Sequence, residues 1–212
     1  MGEEQIPLSG RRRQAALNDD LILDAARAVF LADPAAPIAA VAKRAGVGIS
    51  ALYRRYPSKE ELLRVLCSDG QQIYLREVRR ALDSDGEPWE VYADYLGRIV
   101  AEETHALGNR LAGLFTPTES MFADAMAMRQ LGERLFNRVR QTGALRAGLT
   151  FVDVESWLEA ISSVRFPDSA RTVVLQRRML AVLLEGVRAG GPRLPGKAPT
   201  WEEQEARWTP AE

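Results

Sequence analysis

Ser50, Tyr53 and Arg54 bring a hydroxyl, a phenol and a guanidinium within five residues of chain. At helical spacing they leave one edge of a short helix, while Ile49, Leu52 and Tyr56 share another side. Hydrogen-bonding and cationic groups on the free edge of a short helix suit the base edges of a DNA major groove. Ile49 is placed to touch a thymine methyl. Tyr53, Arg55 and Lys59 have the chemistry of phosphate contacts, which position a reading helix without reading bases. Ser58 and Glu61 make a capping box on the following helix. The free amides and positive dipole end of that helix would face a phosphate, with Lys59 just inside. The candidate DNA-binding set is therefore Arg44, Gly48, Ile49, Ser50 and Tyr53, continued by Arg54, Arg55, Tyr56 and Lys59.

These side chains need elements that hold them. Before them, Ile38, Val41, Ala42 and Ala45 follow the apolar spacing of a helix. Gly46 stands where the chain must turn left-handed, a conformation costly for other residue types. Val47 is an apolar plug for the angle between two crossing helices, and Gly48 is a weak N-cap. A small residue at the crossing, a turn glycine and an apolar plug spell a helix-turn-helix. A first helix is expected over 18–32, capped by Asn18 or Asp19, with the stripe Leu21, Ile22, Ala25, Ala26, Val29 and Phe30. Asp33 to Pro37 links it to the second helix, with a proline near each end. Residues 1–17 are expected to be a flexible arm carrying Arg11, Arg12 and Arg13. Such an arm can lie along DNA or reach a minor groove; a solvated tail is the competing reading.

Residues Leu21 to Leu63, through LILDAARAVFLAD and IAAVAKRAGVGISALYRRYPSKEELL, resemble the DNA-binding domain of TetR-family transcriptional regulators. The string AGVGISALYRRYPSKEELL is the specific part. The resemblance covers about a quarter of the chain strongly and the rest in outline. It implies an all-α fold: an N-terminal three-helix helix-turn-helix domain, then a C-terminal helical domain for ligand binding and dimerisation. It also implies a homodimer on a double-stranded DNA operator, repression rather than activation, and a small-molecule effector. Many members carry a threonine near the position of Pro37, a serine at that of Gly48 and a polar or basic residue at that of Ile49. Here Ala36-Pro37 cannot supply the threonine's cap or its phosphate contact.

The expected division is a helix-turn-helix domain over 18–66, a helical body over 67–190 and a Pro/Gly-rich tail over 191–212. A fourth helix over 59–82, with Leu62, Leu63, Leu66 and Ile73 in period, would join domain and body. Gly70 inside it is either a flexible point or a tolerated glycine. Further helices are expected over 88–106, 109–115, 117–142, 151–164 and 169–189. Thr116, Pro117 and Glu119 read as cap, N1 proline and N3 glutamate. Thr150 with Asp153, and Asp168, open the next two helices. Thr200 and Glu203 form a capping box, so a short helix docking through Trp201 and Trp208 competes with a disordered tail.

The last two long helices are apolar over a broad surface. Trp157, Leu158, Ile161, Leu180, Leu183 and Leu184 are the dimer candidates, and monomer core is the alternative. A twofold protein matches a palindromic operator. Helical bodies bind small molecules between their helices. Pocket character is carried by Tyr92, Tyr95, Leu96, His105 and Phe115, then by Met121, Phe122, Met126 and Trp157. Few buried polar groups are on offer, so the expected effector is largely apolar. It would favour a dimer whose reading helices are wrongly spaced for successive major grooves.

Composition limits the alternatives. The net charge of −1 hides an asymmetry: residues 10–59 carry nine Lys and Arg against four Asp and Glu, and residues 67–212 carry eighteen against twenty-one. Local positive charge suits a phosphate partner. His105 is the only histidine and Cys67 the only cysteine, so clustered His or Cys metal ligands and an intrachain disulfide are excluded. No phosphate-cradling glycine loop, nucleophile elbow or dinucleotide fingerprint is present, so no catalytic residue and no cofactor are expected. No apolar run approaches the roughly 18 residues of a membrane span. The N-terminus is no signal peptide, and a cytoplasmic protein is expected. The rivals are a helical small-molecule binder or enzyme with a vestigial reading domain, and a helical module that binds a protein.

Overall fold

A computed structural model describes residues 10–111 and 113–206. The described residues form ten helices and no strand, an all-α fold; one isolated β-bridge pairs Leu145 with Arg188. The chain divides into two compact units, residues 1–66 and 67–212.

The first unit is built from α1 (Gly10–Ala32), α2 (Ile38–Ala45), α3 (Ile49–Arg55) and the start of α4 (Lys59–Leu82). Its core takes Ile22, Ala26 and Phe30 from α1, Val41 and Ala42 from α2, Leu52 from α3, and Leu62, Leu63 and Leu66 from α4. Each set keeps the helical period that lets one face pack inward. The expectations are corrected twice here. The chain is already helical at Gly10, so 10–17 belong to α1 and Asn18 and Asp19 stand inside the helix rather than at its start. Residues 1–9 of the expected arm lie outside the described residues. Leu21 is 54 % exposed and leaves the stripe.

The second unit holds the rest of α4, then α5 (Pro88–Ala101), α6 (Thr104–Leu111), α7 (Glu119–Gln141), α8 (Phe151–Ser163), α9 (Ser169–Val187) and α10 (Trp201–Ala206). Thr150 and Asp153 cap α8 reciprocally: each backbone N–H donates to the other residue's side chain, at 2.8 and 3.3 Å. The Asp168 carboxylate accepts from Ala170 N–H at 2.9 Å and caps α9. Thr200 and Glu203 cap α10 in the same way as Thr150 and Asp153 cap α8. The cap of α7 is Thr118, two residues after the expected Thr116. The expected helix over 88–106 stops at Ala101, and α6 starts at Thr104 rather than near 109. Glu103 makes the break with φ of 54°, unusual for a non-glycine residue, and its carboxylate pairs with Arg165 at 2.9 Å.

The core of this unit is aromatic at its centre. Tyr74, Tyr92, Tyr95 and Phe136 are buried beside Leu96, Ile99, Val154 and Leu158. Gly70 sits buried in α4, where a Cβ would meet Leu107 at 3.9 Å, an ordinary van der Waals contact, so the glycine is tolerated inside the helix rather than required by packing. No helix of the described residues is long and apolar enough to cross a membrane.

Candidate nucleic-acid interface

The corner between α2 and α3 is set by backbone geometry. Gly46 adopts φ 69° and ψ 24°, and its N–H donates to the Ala42 and Lys43 carbonyls. Val47 N–H returns to Ala42 O at 3.1 Å, so the last turn of α2 is closed before the chain reverses. Val47 is half-buried, as a plug should be. Gly48 caps α3 in an extended conformation without a side chain, and its carbonyl accepts from Ala51 and Leu52.

Only Leu52 of α3 is buried, and Tyr56 follows it inward at 3 % exposure. Those two anchors hold the short helix, so its opposite edge is free. Ile49 and Tyr53 are 40 % and 46 % exposed, and Ser50 and Arg54 are exposed beside them. Arg44 of α2 and Gly48 are exposed as well. Hydroxyl, phenol, guanidinium and an aliphatic side chain thus stand together on one helix edge, with the donors and apolar surface that base edges and phosphates require.

Three residues of the candidate set are held within the unit. Tyr56 is a core residue: its ring is buried, and the Arg55 guanidinium lies 5.5 Å from its centroid. Arg55 is held by Asp19 of α1 through two parallel bonds, Nε to Oδ1 at 2.8 Å and Nη2 to Oδ2 at 2.7 Å. The hydrogen bond that Arg55 donates to Asp19, and then the charge of Asp19, raise the Arg55 pKa further. Lys59 is turned inward. Its ammonium donates to the Pro34 and Ala36 carbonyls at 2.8 Å each and lies 5.1 Å from the centre of the Phe30 ring. It ties the α1–α2 loop to α4, because a half-buried ammonium takes the nearest carbonyl dipoles. Ser58 Oγ accepts from Glu61 N–H at 3.0 Å, as the capping box requires, while the Glu61 carboxylate pairs with Arg64. The residue that holds Arg55 and is absent from the candidate set is Asp19. Its place in an expected first turn suggested a cap, and no sequence signal links it to Arg55, 36 residues away.

The candidate residues of the second unit fall into different places. Tyr92, Tyr95, Leu96 and Met121 are buried, and Phe115 and Trp157 are half-buried. Phe122 and Met126 are 60 % and 52 % exposed on α7, so they do not line an internal pocket. The side chain of His105, like Trp208, lies outside the described residues. A groove of about 620 Å³ runs along α7 past Leu82, Gln130, Glu133, Arg134, Asn137 and Gln141; its lining includes none of the candidates. Of the dimer candidates, Leu158, Ile161 and Leu180 are buried in the unit's own core, because the helical period turns them inward. Trp157, Leu183 and Leu184 are half-buried. The exposed apolar residues of α9 are Val174, Met179 and Val182.

Residues 22–66 match the family model of bacterial regulatory proteins of the tetR family, and residues 87–189 match that of the SbtR-like transcriptional regulator C-terminal domain. No curated protein sequence matches the chain. Among solved structures, the fold is similar to that of the TetR-family transcriptional regulator PfmR from Thermus thermophilus. That likeness has 19 % identity and a TM-score of 0.60, and covers 77 % of this chain and 97 % of that one. The ketosteroid transcriptional regulator KstR2 of Mycobacterium tuberculosis is similar at 19 % identity and TM-score 0.58, covering 86 % and 97 %. LfrR from Mycobacterium smegmatis, solved in complex with proflavine, is similar at 21 % identity and TM-score 0.52, covering 81 % and 97 %. Matched family models at both ends, the shared fold and a reading helix with its polar edge uncovered agree: the chain belongs to the TetR family of DNA-binding transcriptional regulators.

Proposed function

We propose that the chain is a repressor. As a homodimer it holds a palindromic operator, and a small, largely apolar effector in the helical unit releases it. The observation that carries this is the edge of α3: Ser50, Tyr53 and Arg54 are exposed while Leu52 and Tyr56 anchor the helix from behind. A helix held this way can enter a major groove without unfolding anything. Ser50 and Arg54 read base edges, Tyr53 contacts phosphate, and Ile49 meets a thymine methyl. The outer face of α8 and α9, with Trp157, Leu183, Leu184 and the exposed Val182, pairs two copies. The effector reading draws support from the apolar aromatic core of the second unit. KstR2 is a ketosteroid regulator and LfrR was solved with proflavine, which are precedents for such ligands on this fold. The repressor acts on cytoplasmic DNA and catalyses nothing.

Selection of bound DNA from a random pool tests the proposal. The expected product is a palindrome whose half-sites lie about one helical turn or a multiple apart. Ser50→Ala and Arg54→Ala should relax base preference at particular positions, whereas Tyr53→Phe should weaken binding evenly across sequences. Recovery of no enriched sequence would refute the proposal, and an asymmetric site would refute its twofold part.

A further inference from the structure

The tail carries an indole into a seat on the second unit. Past Val187 the chain lies almost wholly beyond the residues that match the C-terminal family model. From Arg188 to Thr200 it forms no helix and pairs only at Arg188, in a stretch holding Gly190, Gly191, Pro192, Pro195, Gly196 and Pro199. Trp201 opens α10 and is half-buried. Its indole N–H donates to Glu133 Oε1 at 2.7 Å, and the Arg129 guanidinium lies 4.4 Å from the ring centre, both on α7. The Phe151 ring of α8 stands 5.9 Å away at 51°. A carboxylate acceptor, a cation over the face and an aromatic neighbour together read what sets an indole apart from other flat groups. The Arg129 and Glu133 side chains are 33 % and 40 % exposed, so the seat is open to solutes.

The rest of the hold on α10 is slight. Gln204 donates to Glu159 Oε2 at 3.3 Å and accepts from Ser156 Oγ at 3.4 Å, both long bonds. The capping box of Thr200 and Glu203 is internal to the segment and travels with it. A helix of six residues is too short to persist alone, because nucleation fixes several residues for one bond. The order of α10 is therefore borrowed from the seat, and losing the seat frees the whole helix at once.

We propose that α10 is a detachable strap with Trp201 as its tethered ligand, and that the seat of Glu133, Arg129 and Phe151 takes free indoles or other flat aromatic N–H compounds when the strap leaves. This goes beyond the repressor reading and does not rest on it, since the seat is built by α7, α8 and α10 alone. A tethered group competes at an effective concentration of about millimolar, so a free indole must match that to displace it.

Indole and N-methylindole test it on the full chain; they share the ring system and differ by the methyl that replaces the N–H. Titration calorimetry on Trp201→Ala reads binding to the vacated seat, and hydrogen exchange read by mass spectrometry follows the amides of α10. Trp201→Ala should fold and bind indole at least tenfold more tightly than N-methylindole, the effect of one hydrogen bond to a charged group. Glu133→Ala on that background should erase the preference. The wild type should bind indole more weakly than Trp201→Ala does. Indole at millimolar concentration, unlike N-methylindole, should speed exchange in α10 and leave that in α7 and α8 unchanged. Trp201→Phe, which keeps a ring without the N–H, should exchange about tenfold faster in α10. A Trp201→Ala chain that does not fold would overturn the inference, because a segment the fold requires is not detachable. It would equally be overturned by absent indole binding to Trp201→Ala, equal affinity for the two probes, or a preference kept without Glu133. Indole affinity as high in the wild type, or α10 exchange indifferent to indole or to Trp201→Phe, would overturn it too. The operator selection uses none of these probes, so neither test decides the other.

Discussion

Asp19→Ala should make the protein bind its operator more tightly. In the free protein Asp19 holds Arg55 by two bonds of 2.8 and 2.7 Å. The pair lies at the surface, with the arginine and aspartate side chains 59 % and 26 % exposed. Exposed ion pairs contribute about 0.2 to 1 kcal/mol, so removing this one costs the fold no more than that. For Arg55 to take a phosphate, the wild type must first give up the pair, and the abandoned carboxylate then faces the DNA. The variant has neither penalty. A gain of about 1 kcal/mol corresponds to roughly fivefold in affinity. If Arg55 becomes an added phosphate contact, the slope of log affinity against log salt steepens by about 0.9. Fluorescence anisotropy with a labelled operator, across about 50 to 200 mM salt, reads both quantities. Arg55→Ala in each background completes the cycle: it should weaken binding more when Asp19 is absent. Equal affinities and slopes in all four proteins would refute the reasoning and leave the pair as a purely structural clasp between α1 and α3.

Three further predictions test the scaffold. Gly46→Ala places a Cβ in open space but at φ 69°, so the cost is backbone strain alone, about 1 to 2 kcal/mol; an unchanged urea midpoint would contradict this. Gly132→Ala would put a Cβ 2.5 Å from Phe151 Cζ and 2.7 Å from Tyr74 Oη. Overpacking of that kind costs roughly 1 to 3 kcal/mol and should appear as a lower melting temperature. Burial pushes the Cys67 thiol from 9.0 up to about 12. A raised pKa favours the neutral thiol in the fold, so its stabilising contribution is complete below pH 9.0 and is lost as pH rises toward about 12. Cys67→Ala should therefore lose less stability than the wild type between those two pH values in chemical denaturation. A disulfide-exchange reagent at neutral pH should react with Cys67 only on unfolding.

What was legible in the sequence is what local physics controls. The helix over 59–82 has the expected bounds because Ser58 and Glu61 start it and the apolar period runs unbroken to Leu82. The caps at Thr150, Asp168 and Thr200 were readable for the same reason: donor and acceptor lie within three residues. The exposed edge of α3 was legible because Leu52 and Tyr56 mark its buried side. Two kinds of feature were not. Helix ends shifted where competing signals were close, as at Thr116 against Thr118, or where a residue took a rare φ, as at Glu103. Long-range polar contacts left no local trace. Nothing in the sequence around Lys59 shows that its ammonium is taken by two carbonyls more than twenty residues earlier. Periodicity also could not separate the apolar residues of α8 and α9 that serve the unit's own core, such as Leu158 and Leu180, from those left exposed, such as Val182.

The positive balance of residues 10–59 is therefore a poor guide to how the protein meets DNA. Nine Lys and Arg stand in that stretch, yet they do not have equal freedom. Lys59 serves the fold: exchanging it for methionine would leave the Pro34 and Ala36 carbonyls without their donor, so weaker DNA binding in that variant would reflect a loosened loop as much as a lost charge. Arg55 stands between fold and partner, available to a phosphate only by leaving Asp19. Arg44 and Arg54 are exposed, and they flank the corner that Gly46 sets. Counterion release counts only cations that sit on phosphate in the complex, at about 0.9 in slope for each. The salt dependence of operator binding should thus fall with Arg44→Ala and Arg54→Ala and change little with Lys59→Met once stability is matched by working well below its melting point. If Lys59→Met flattens the slope as much as Arg54→Ala does, the ammonium must leave its carbonyls on DNA, and the α1–α2 loop must move with it.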